Sequence, residues 1–344
     1  MTDAAATVGD CSERDLIARI RQGLPPAPDW LLIGIGDDAA VAEPERNRAE
    51  VLTVDALVEG VHFDRAFVPP AAIGHRALAV NLSDLAAMGA APRLALLSMA
   101  LPPALPLDDF DRIISGFTAL ARQHSVHVAG GNLTRSPGPL MLDVTVMGTV
   151  KRRQALTRSG ARAGDDLYVS GSLGSAAAGL ALLRERRTTH AEQRTTNNER
   201  LTGSFLHPQP RLALGMHLSR NRAASACMDL SDGLADGLGQ IAEASGVGMT
   251  VDTTALPIEL EARAFFASRG LDAVTQALTA GDDYELLFAV RPRTSRRLTE
   301  AARRGGVPLT RIGRCTAERG VVLQGAAASV LDAGSLPRGF THFR

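Results

Sequence analysis

The sequence predicts an α/β protein with mixed sheets, built as two domains. Strand-like apolar runs alternate with segments of helical periodicity along the chain, which is the pattern of the α/β class. A length of 344 residues suits two domains of ordinary size, and 45% hydrophobic residues supply their cores. A basic, polar stretch at 151–164 predicts a domain boundary, which gives domains 1–150 and 151–344.

Composition excludes several classes of protein. A net charge of +0 and an aromatic content of 4% argue against nucleic-acid binding, which favours basic surfaces and stacking platforms. The cysteines Cys11, Cys227 and Cys315 are isolated, as is typical of a reducing compartment. The N-terminus lacks signal-peptide features, and no apolar run approaches the roughly 18 residues of a membrane span. We therefore expect a cytoplasmic protein that binds neither nucleic acid nor membranes.

Lysine usage limits how this chain can handle ATP. Its single lysine is Lys151, in a Val-Lys-Arg-Arg context. A Walker A loop and a protein-kinase site both need a lysine in a defined motif, so both are excluded. Any ATP chemistry must depend on carboxylates, metal ions, arginine and backbone amides.

In the first domain, Ser12 can cap a helix over 11–23. The glycine-acid sequence Gly36-Asp37-Asp38 interrupts a strand-like run at 31–41, and it suits either close approach to a ligand or a hairpin turn. The remaining patterns predict helices over 71–88 and 108–123 and strands over 51–55, 94–101 and 141–148. Residues 126–135 predict a strand that runs into a Gly-Gly loop, and such a loop can present amides to phosphate.

The second domain continues the alternation. Residues 185–203 are almost wholly polar and predict a mobile surface insertion. The other patterns predict helices over 175–184, 210–218, 236–245 and 296–304, and strands over 166–170, 248–252, 280–290 and 309–313.

The stretch 226–237 carries the clearest chemical pattern. Asp229, Ser231 and Asp232 stand where an apolar run gives way to a helical one. Carboxylates at this spacing suit a magnesium ion held beside phosphates. The alternative is that they cap the helix that follows, because Asp and Ser favour helix starts.

Acidic residues recur at the ends of strand-like runs. They are Asp37, Asp38, Asp55, Asp229, Asp232, Asp282 and Asp283. Ligands gather at strand ends in open sheets, and so many acids without nearby lysine predict several metal ions neutralising a polyphosphate. Phosphoryl transfer needs positioning and charge neutralisation above all.

Six segments together resemble the thiamine-monophosphate kinase family of the aminoimidazole-ribonucleotide synthetase-like superfamily. They are Gly34-Ile-Gly-Asp-Asp-Ala-Ala40, Val54-Asp-Ala-Leu-Val-Glu-Gly-Val-His-Phe63, 79–90, Ala155-Leu-Thr-Arg-Ser-Gly160, Asp229-Leu-Ser-Asp-Gly233 and Gly281-Asp-Asp-Tyr-Glu-Leu-Leu-Phe288. The resemblance implies ATP-dependent phosphorylation of thiamine monophosphate to thiamine diphosphate, with several Mg²⁺ ions and ATP as co-substrate. It also implies a homodimer whose N-terminal α/β domains form a β-barrel between subunits, and a C-terminal α/β domain.

Site residues follow from the resemblance position by position. The implied magnesium ligands are Asp38, Thr53, Val54 (through its carbonyl only), Asp55, Asp84, Asn132, Asp229 and Asp232. The implied ATP contacts are His124, Gly131, Asn132, Arg158 and Ser231. The implied contacts to the thiamine moiety are His62, Asp282 and Phe340. No acid or base residue is required, because the acceptor phosphate oxygen is already anionic near neutral pH.

Three positions depart from the family pattern. Asn132 replaces an aspartate, which removes one negative charge from a metal site. His124 replaces a tyrosine that stacks on adenine, and Asp282 replaces a glutamate. Two alternatives stay open: another ATP-using superfamily member with a different phosphorylated acceptor, such as a selenophosphate or purine-pathway synthetase, or an inactive nucleotide-binding relative.

Overall fold

Helices and sheets alternate along the chain, as the predicted α/β class requires. The computed structural model describes residues 6–189, 196–325 and 329–331. The described residues fall into two units. The first comprises the chain up to Leu82 together with Pro92–Thr149, and the second comprises Ser83–Ala91 and the chain from Val150 onward. None of the described helices is long and apolar enough to span a membrane.

The first unit is a helix-covered sheet with a small hairpin. Its described elements are α1 (Glu13–Gln22), β1 (Leu31–Ile33), β2 (Val41–Ala42), β3 (Arg48–Val58), α2 (Pro70–Ala87), β4 (Ala91–Leu101), α3 (Leu107–Gln123), β5 (His127–Arg135) and β6 (Met141–Lys151), with a 3-10 turn at Val8–Asp10. The larger sheet has the order β3-β6-β4-β5, and β4 and β5 run parallel. One end of α2, of β4 and of β6 belongs to the second unit.

Local sequence explains the main helices of this unit. Ser12 caps α1 as predicted, since its side chain accepts a hydrogen bond from the amide of Asp15. The helices α2 and α3 cross closely because each has a glycine at the crossing. A Cβ on Gly74 or on Gly116 would lie 1.9 Å from a backbone oxygen of the other helix.

The two faces of the four-stranded sheet differ in exposure. Leu142, Val144 and Val146 alternate along β6 and are all buried. On β3, Leu52 and Val54 are 66% and 60% exposed. One side of this unit therefore carries its core, whereas β3 presents large apolar side chains to solvent.

The second unit is built on a seven-stranded sheet of order β13-β12-β9-β11-β7-β10-β8. Its described elements are β7 (Asp166–Ser170), α4 (Ser175–Thr189), α5 (Thr196–Leu206), α6 (Leu212–Asn221), β8 (Ala226–Asp229), α7 (Leu234–Ser245), β9 (Gly248–Asp252), α8 (Leu260–Ala267), α9 (Ala273–Thr279), β10 (Leu286–Val290), α10 (Ser295–Gly305), β11 (Leu309–Thr316), β12 (Gly320–Gln324) and β13 (Ser329–Leu331), with 3-10 turns at Thr253–Ala255 and Pro292–Thr294. The pair β12 and β9 is parallel, and β7 and β8 flank β10 in antiparallel register.

The polar segment at 185–203 differs from the predicted mobile insertion wherever the structure describes it. α4 extends to Thr189, and α5 already begins at Thr196. Leu201 and Phe205 of α5 are buried, and a Cβ on Gly179 of α4 would lie 2.1 Å from the carbonyl oxygen of Leu201. Few apolar side chains sufficed to dock this helix, because a glycine lets the two backbones approach closely.

Candidate functional site

Buried Asp229, at the end of β8, lies near a second acidic side chain, half-buried Asp84 of α2, in the second unit. Asp229 is 5% exposed, and the hydroxyl of Ser83 donates a 2.7 Å hydrogen bond to its carboxylate. Burial and, after it, the nearby negative charge of Asp84 raise the pKa of Asp229 to about 7, against the opposing effect of the Ser83 hydrogen bond. The structure therefore brings together two residues that sequence comparison proposed as metal ligands.

This pair fits a divalent cation. The two carboxylates repel each other, and a bound cation would relieve both this repulsion and the desolvation of Asp229. The positive charge of Arg158 already acts on Asp229 in this direction. Within the described residues, no group of three or more His, Cys, Asp or Glu side chains is arranged to hold a metal. Further oxygen ligands, such as phosphate oxygens, would complete the coordination.

The side chains of the loop after β8 do not cap α7, the helix that follows it. The N-cap of α7 is Gly233, whose φ of 106° favours glycine, and no side chain caps that helix. The alternative interpretation of the Asp229–Asp232 stretch as capping residues is therefore wrong. The stretch instead forms a turn between strand and helix, in which Ser231 and Asp232 are half-buried.

A second loop packs directly on this turn. The amide of Asp282 donates to the carbonyl oxygen of Ser231 at 2.8 Å, and the amide of Tyr284 donates to that of Leu230 at 2.9 Å. A Cβ on Gly281 would lie 2.2 Å from the Ser231 carbonyl oxygen, so only glycine permits this approach. These bonds replace sheet pairing, which is why β10 begins at Leu286 and not at 280 as predicted.

The adjacent acids of this second loop have separate environments. Asp282 has a φ of 69°, and its carboxylate accepts a 3.1 Å hydrogen bond from the hydroxyl of Tyr284. Asp283 is turned inward, and its carboxylate accepts the amide of Gly174, just before α4, at 3.0 and 3.1 Å. Burial raises the pKa of Asp283 well above its usual value. Asp283 therefore anchors the loop to the segment that precedes α4.

Arg158 lies on the chain between β6 and β7 and is held against α7. Its guanidinium donates a 2.6 Å hydrogen bond to the side-chain oxygen of Gln240, and its carbonyl oxygen accepts from the hydroxyl of Ser245. The side chain remains exposed. A fixed positive charge with this exposure suits contact with a phosphate group.

In the first unit, the predicted metal ligands lie on the hairpin and on β3. β1 pairs with β2, Leu31 opposite Ala42, so Gly36-Asp37-Asp38 lies in a hairpin connection. Asp38 is exposed there. Thr53 and Asp55 are half-buried on β3, and Val54 between them points to the opposite face.

The predicted nucleotide and substrate contacts of the first unit lie at the C-cap of α3, on β5 and shortly after β3. The amide of Val58 donates to Nδ1 of His62 at 3.0 Å, which fixes the orientation of that ring. His124 is the C-cap of α3; burial lowers its pKa, and its buried Nε2 atom has no hydrogen-bond partner. Gly131 and Asn132 lie within β5, not in a loop beyond it.

Gly131 has a structural reason to be glycine. A Cβ at this position would lie 1.8 Å from the carbonyl oxygen of Leu97 on the neighbouring strand. Asn132 follows it, opposite Ser98 in the parallel register, and is exposed. The predicted thiamine contact Phe340 lies outside the described residues.

Sequence analysis missed three residues that organise the second unit around these loops. They are Ser83, Arg211 and Glu285. Ser83 was visible as the hydroxyl beside Asp84 in Leu82-Ser-Asp84, a tripeptide that recurs as Leu230-Ser-Asp232. Arg211 carried no signal, because its partner Glu285 is 74 residues away.

Comparison with known proteins defines the class first. The family model for the AIR synthase related protein, N-terminal domain, matches residues 36–150, and that for the C-terminal domain matches residues 162–326. Together they span most of the chain, so the two units belong to an AIR synthase related protein.

Individual relatives narrow this class. Thiamine-monophosphate kinase of Salmonella typhimurium is 38% identical over 310 residues, which cover 90% of this chain and 91% of the relative. The solved structure of thiamine-monophosphate kinase from Stenotrophomonas maltophilia has a TM-score of 0.82 and 43% identity, covering 92% of this chain and 98% of that one. AaThiL complexed with AMPPCP and TMP has a TM-score of 0.76 and 32% identity, covering 96% of each chain. This chain belongs to the thiamine-monophosphate kinase family, as its motifs predicted.

Proposed function

We propose that this enzyme transfers the γ-phosphate of ATP to thiamine monophosphate and so makes thiamine diphosphate. The observation that carries the proposal is the acidic pair of buried Asp229 and half-buried Asp84, in a chain that is 38% identical to a thiamine-monophosphate kinase over nine-tenths of its length. A relative of known structure was solved with both AMPPCP and TMP. Neither a different acceptor nor an inactive relative is favoured by any feature of the described residues.

We propose Mg²⁺ as the metal. The proposed ligands are Asp38, Thr53, the carbonyl of Val54, Asp55, Asp84, Asn132, Asp229 and Asp232. Their oxygen atoms match the preference of a hard cation, and the acidic pair in the second unit supports the assignment. When bound, such ions neutralise charge on the donor and acceptor phosphates.

The other contacts divide by ligand. For ATP we propose His124, Gly131, Asn132, Arg158 and Ser231, and for thiamine monophosphate His62, Asp282 and Phe340. Arg158 is supported by its exposed guanidinium, and Asp282 by its position on the loop that packs against Ser231. His124 is supported by its neutral ring, because an uncharged imidazole can stack on a nucleobase.

The chemistry needs no general base. A terminal phosphate oxygen of the acceptor is anionic near neutral pH, and the main barrier is the approach of two anionic groups. The protein meets this barrier by orientation and by fixed positive charge such as that of Arg158. We propose direct in-line transfer without a phosphoenzyme, so no labelled protein phosphate should accumulate when radiolabelled ATP is turned over.

We further propose a cytoplasmic homodimer that pairs through the open face of the four-stranded sheet. Leu52, Val54 and Leu96 are large apolar side chains that remain exposed on its strands β3 and β4, which is unusual for a fully solvated surface. We also propose that the domain boundary falls between residues 150 and 151, which is supported by the division of the described contacts near Val150.

The decisive test is a coupled ADP-release assay with thiamine monophosphate, in the presence and absence of Mg²⁺. We expect turnover that requires both the substrate and the metal, and that is abolished in Asp84→Asn. Turnover with another phosphorylated acceptor alone would select a different superfamily activity. ATP binding without turnover on any acceptor would select an inactive relative.

A further inference from the structure

Glu285 is a buried carboxylate for which the proposed chemistry has no use. It follows Tyr284 immediately before β10, and its side chain is 3% exposed. Arg211, just before α6, donates from Nε to Oε2 of Glu285 at 2.7 Å and from Nη2 to Oε1. The hydroxyl of Ser170 donates to Oε2 at 2.6 Å and accepts the amide of Leu286 at 2.9 Å. Both carboxylate oxygens are therefore hydrogen-bonded.

The space around this carboxylate is closed. Gly171 has a φ of 58°, and a Cβ on it would lie 1.9 Å from Oε1 of Glu285. The amide of Gly171 donates to the carbonyl oxygen of Pro308, which holds that turn in place. A charge buried this tightly destabilises a fold unless it is paired. Glu285 therefore needs Arg211 as its partner.

The backbone of Glu285 connects the two loops that carry proposed ligands. Its carbonyl oxygen accepts the amide of Leu230 at 2.8 Å, next to Asp229. On the other side, Tyr284 donates back to Leu230, and Asp282 donates to Ser231. The side chain of Glu285 thus holds the strand end against which both loops are aligned.

We propose that Arg211 and Glu285 are positioning residues, whose ion pair sets the distance between the Asp229–Asp232 loop and the loop that presents Asp282. This proposal deepens the proposed function and rests on it. Neither residue is among the proposed ligand contacts; each acts through the backbone bonds of the loops. A shift of about 1 Å in the position of a loop that holds a substrate can lower catalytic efficiency about a hundredfold.

Arg211→Ala tests the proposal by chemical rescue. Its side chain is 24% exposed, so a free guanidinium ion can reach the vacated position beside Glu285. We expect the KM for thiamine monophosphate to rise about tenfold or more, with a smaller change in kcat, and 20 mM guanidinium chloride to restore it. Sodium chloride at the same ionic strength should not restore it. Arg311→Ala is the matched control, because it removes an exposed ion pair with Asp166 in the same unit and should change neither constant.

A second measurement does not depend on activity. Hydrogen exchange of the amides of Leu230, Asp282 and Tyr284 should become faster in Arg211→Ala and slow again with guanidinium, because these amides form the bonds between the loops. If Arg211→Ala does not fold, Ser170→Ala removes one hydrogen bond to Glu285 and should show the same two effects more weakly. Unchanged KM and exchange in a folded variant would overturn the positioning role. Absence of thiamine monophosphate turnover in the wild type, with exchange behaving as expected, would overturn the proposed function while leaving the structural coupling intact.

Discussion

Asp229→Asn should make the metal-free enzyme more stable while impairing its activity. The carboxylate of Asp229 is buried beside Asp84, and its pKa is raised from 3.8 to about 7. One pKa unit corresponds to about 1.4 kcal/mol, so the full penalty for carrying this charge in the folded state is about 4 kcal/mol at pH 8. An asparagine has nearly the same shape and can still accept the hydrogen bond of Ser83. We therefore expect the variant to unfold with a free energy about 2–4 kcal/mol higher at pH 8.

The pH dependence of this difference has a defined sign. A group whose pKa is higher in the folded chain contributes its full stability below the unfolded value, near 4, and loses it as the pH rises to about 7. Stability of the wild-type protein should therefore fall across this window relative to the asparagine variant. At pH 5 the difference should shrink to about 1–2 kcal/mol.

Urea unfolding in EDTA at pH 5 and pH 8 measures both values. A repeat at pH 8 with Mg²⁺ should stabilise the wild type more than Asp229→Asn, because only the wild type keeps all of the proposed metal ligands. The reasoning would be refuted by a variant that is less stable than the wild type at pH 8, or by a difference that does not change with pH.

Three further outcomes follow from single positions. Gly281→Ala should lower the free energy of unfolding in urea by about 1–3 kcal/mol, because its Cβ would overlap the facing loop. Gly203→Ala should not lower it, because a Cβ there would meet no atom within 4 Å. Leu52→Asp should convert the proposed dimer into a monomer, as measured by size-exclusion chromatography with light scattering. Leu260 is also exposed but lies in the second unit, so Leu260→Asp should leave the dimer intact. A dimer that persists in Leu52→Asp would exclude the proposed interface. Asn132→Asp should lower the Mg²⁺ concentration for half-maximal activity several-fold, since a carboxylate adds the charge that an amide lacks; an unchanged Mg²⁺ titration would argue against Asn132 as a ligand.

Local patterns predicted most of the helices because helix formation depends on neighbouring residues. Ser12 capped α1, and the apolar period of 71–88 matches α2, Pro70–Ala87. Two predictions of secondary structure were wrong, and each has a physical reason. The polar sequence at 185–203 did not indicate the packed helix α5, because that helix has few apolar residues. Its close approach to α4 at Gly179 allows it to pack with so few. The predicted strand at 280–290 is shortened because Asp282 and Tyr284 adopt positive φ and bond to a loop far away in sequence.

The motifs by themselves determined the family and the kinds of residue available for its chemistry. These are acids at strand ends and an arginine that we propose contacts phosphate, with no lysine in an ATP-binding motif. Only the tertiary structure decided which of these residues act on one another. Ser83 and Asp229 are 146 positions apart, and Ser170 and Glu285 are 115 positions apart, yet each pair is hydrogen-bonded. Such pairs follow from strand order and loop packing, which bring distant segments together and leave no local periodicity in the chain. The pKa of Asp229 likewise depends on burial and on a neighbouring charge that only the folded chain supplies.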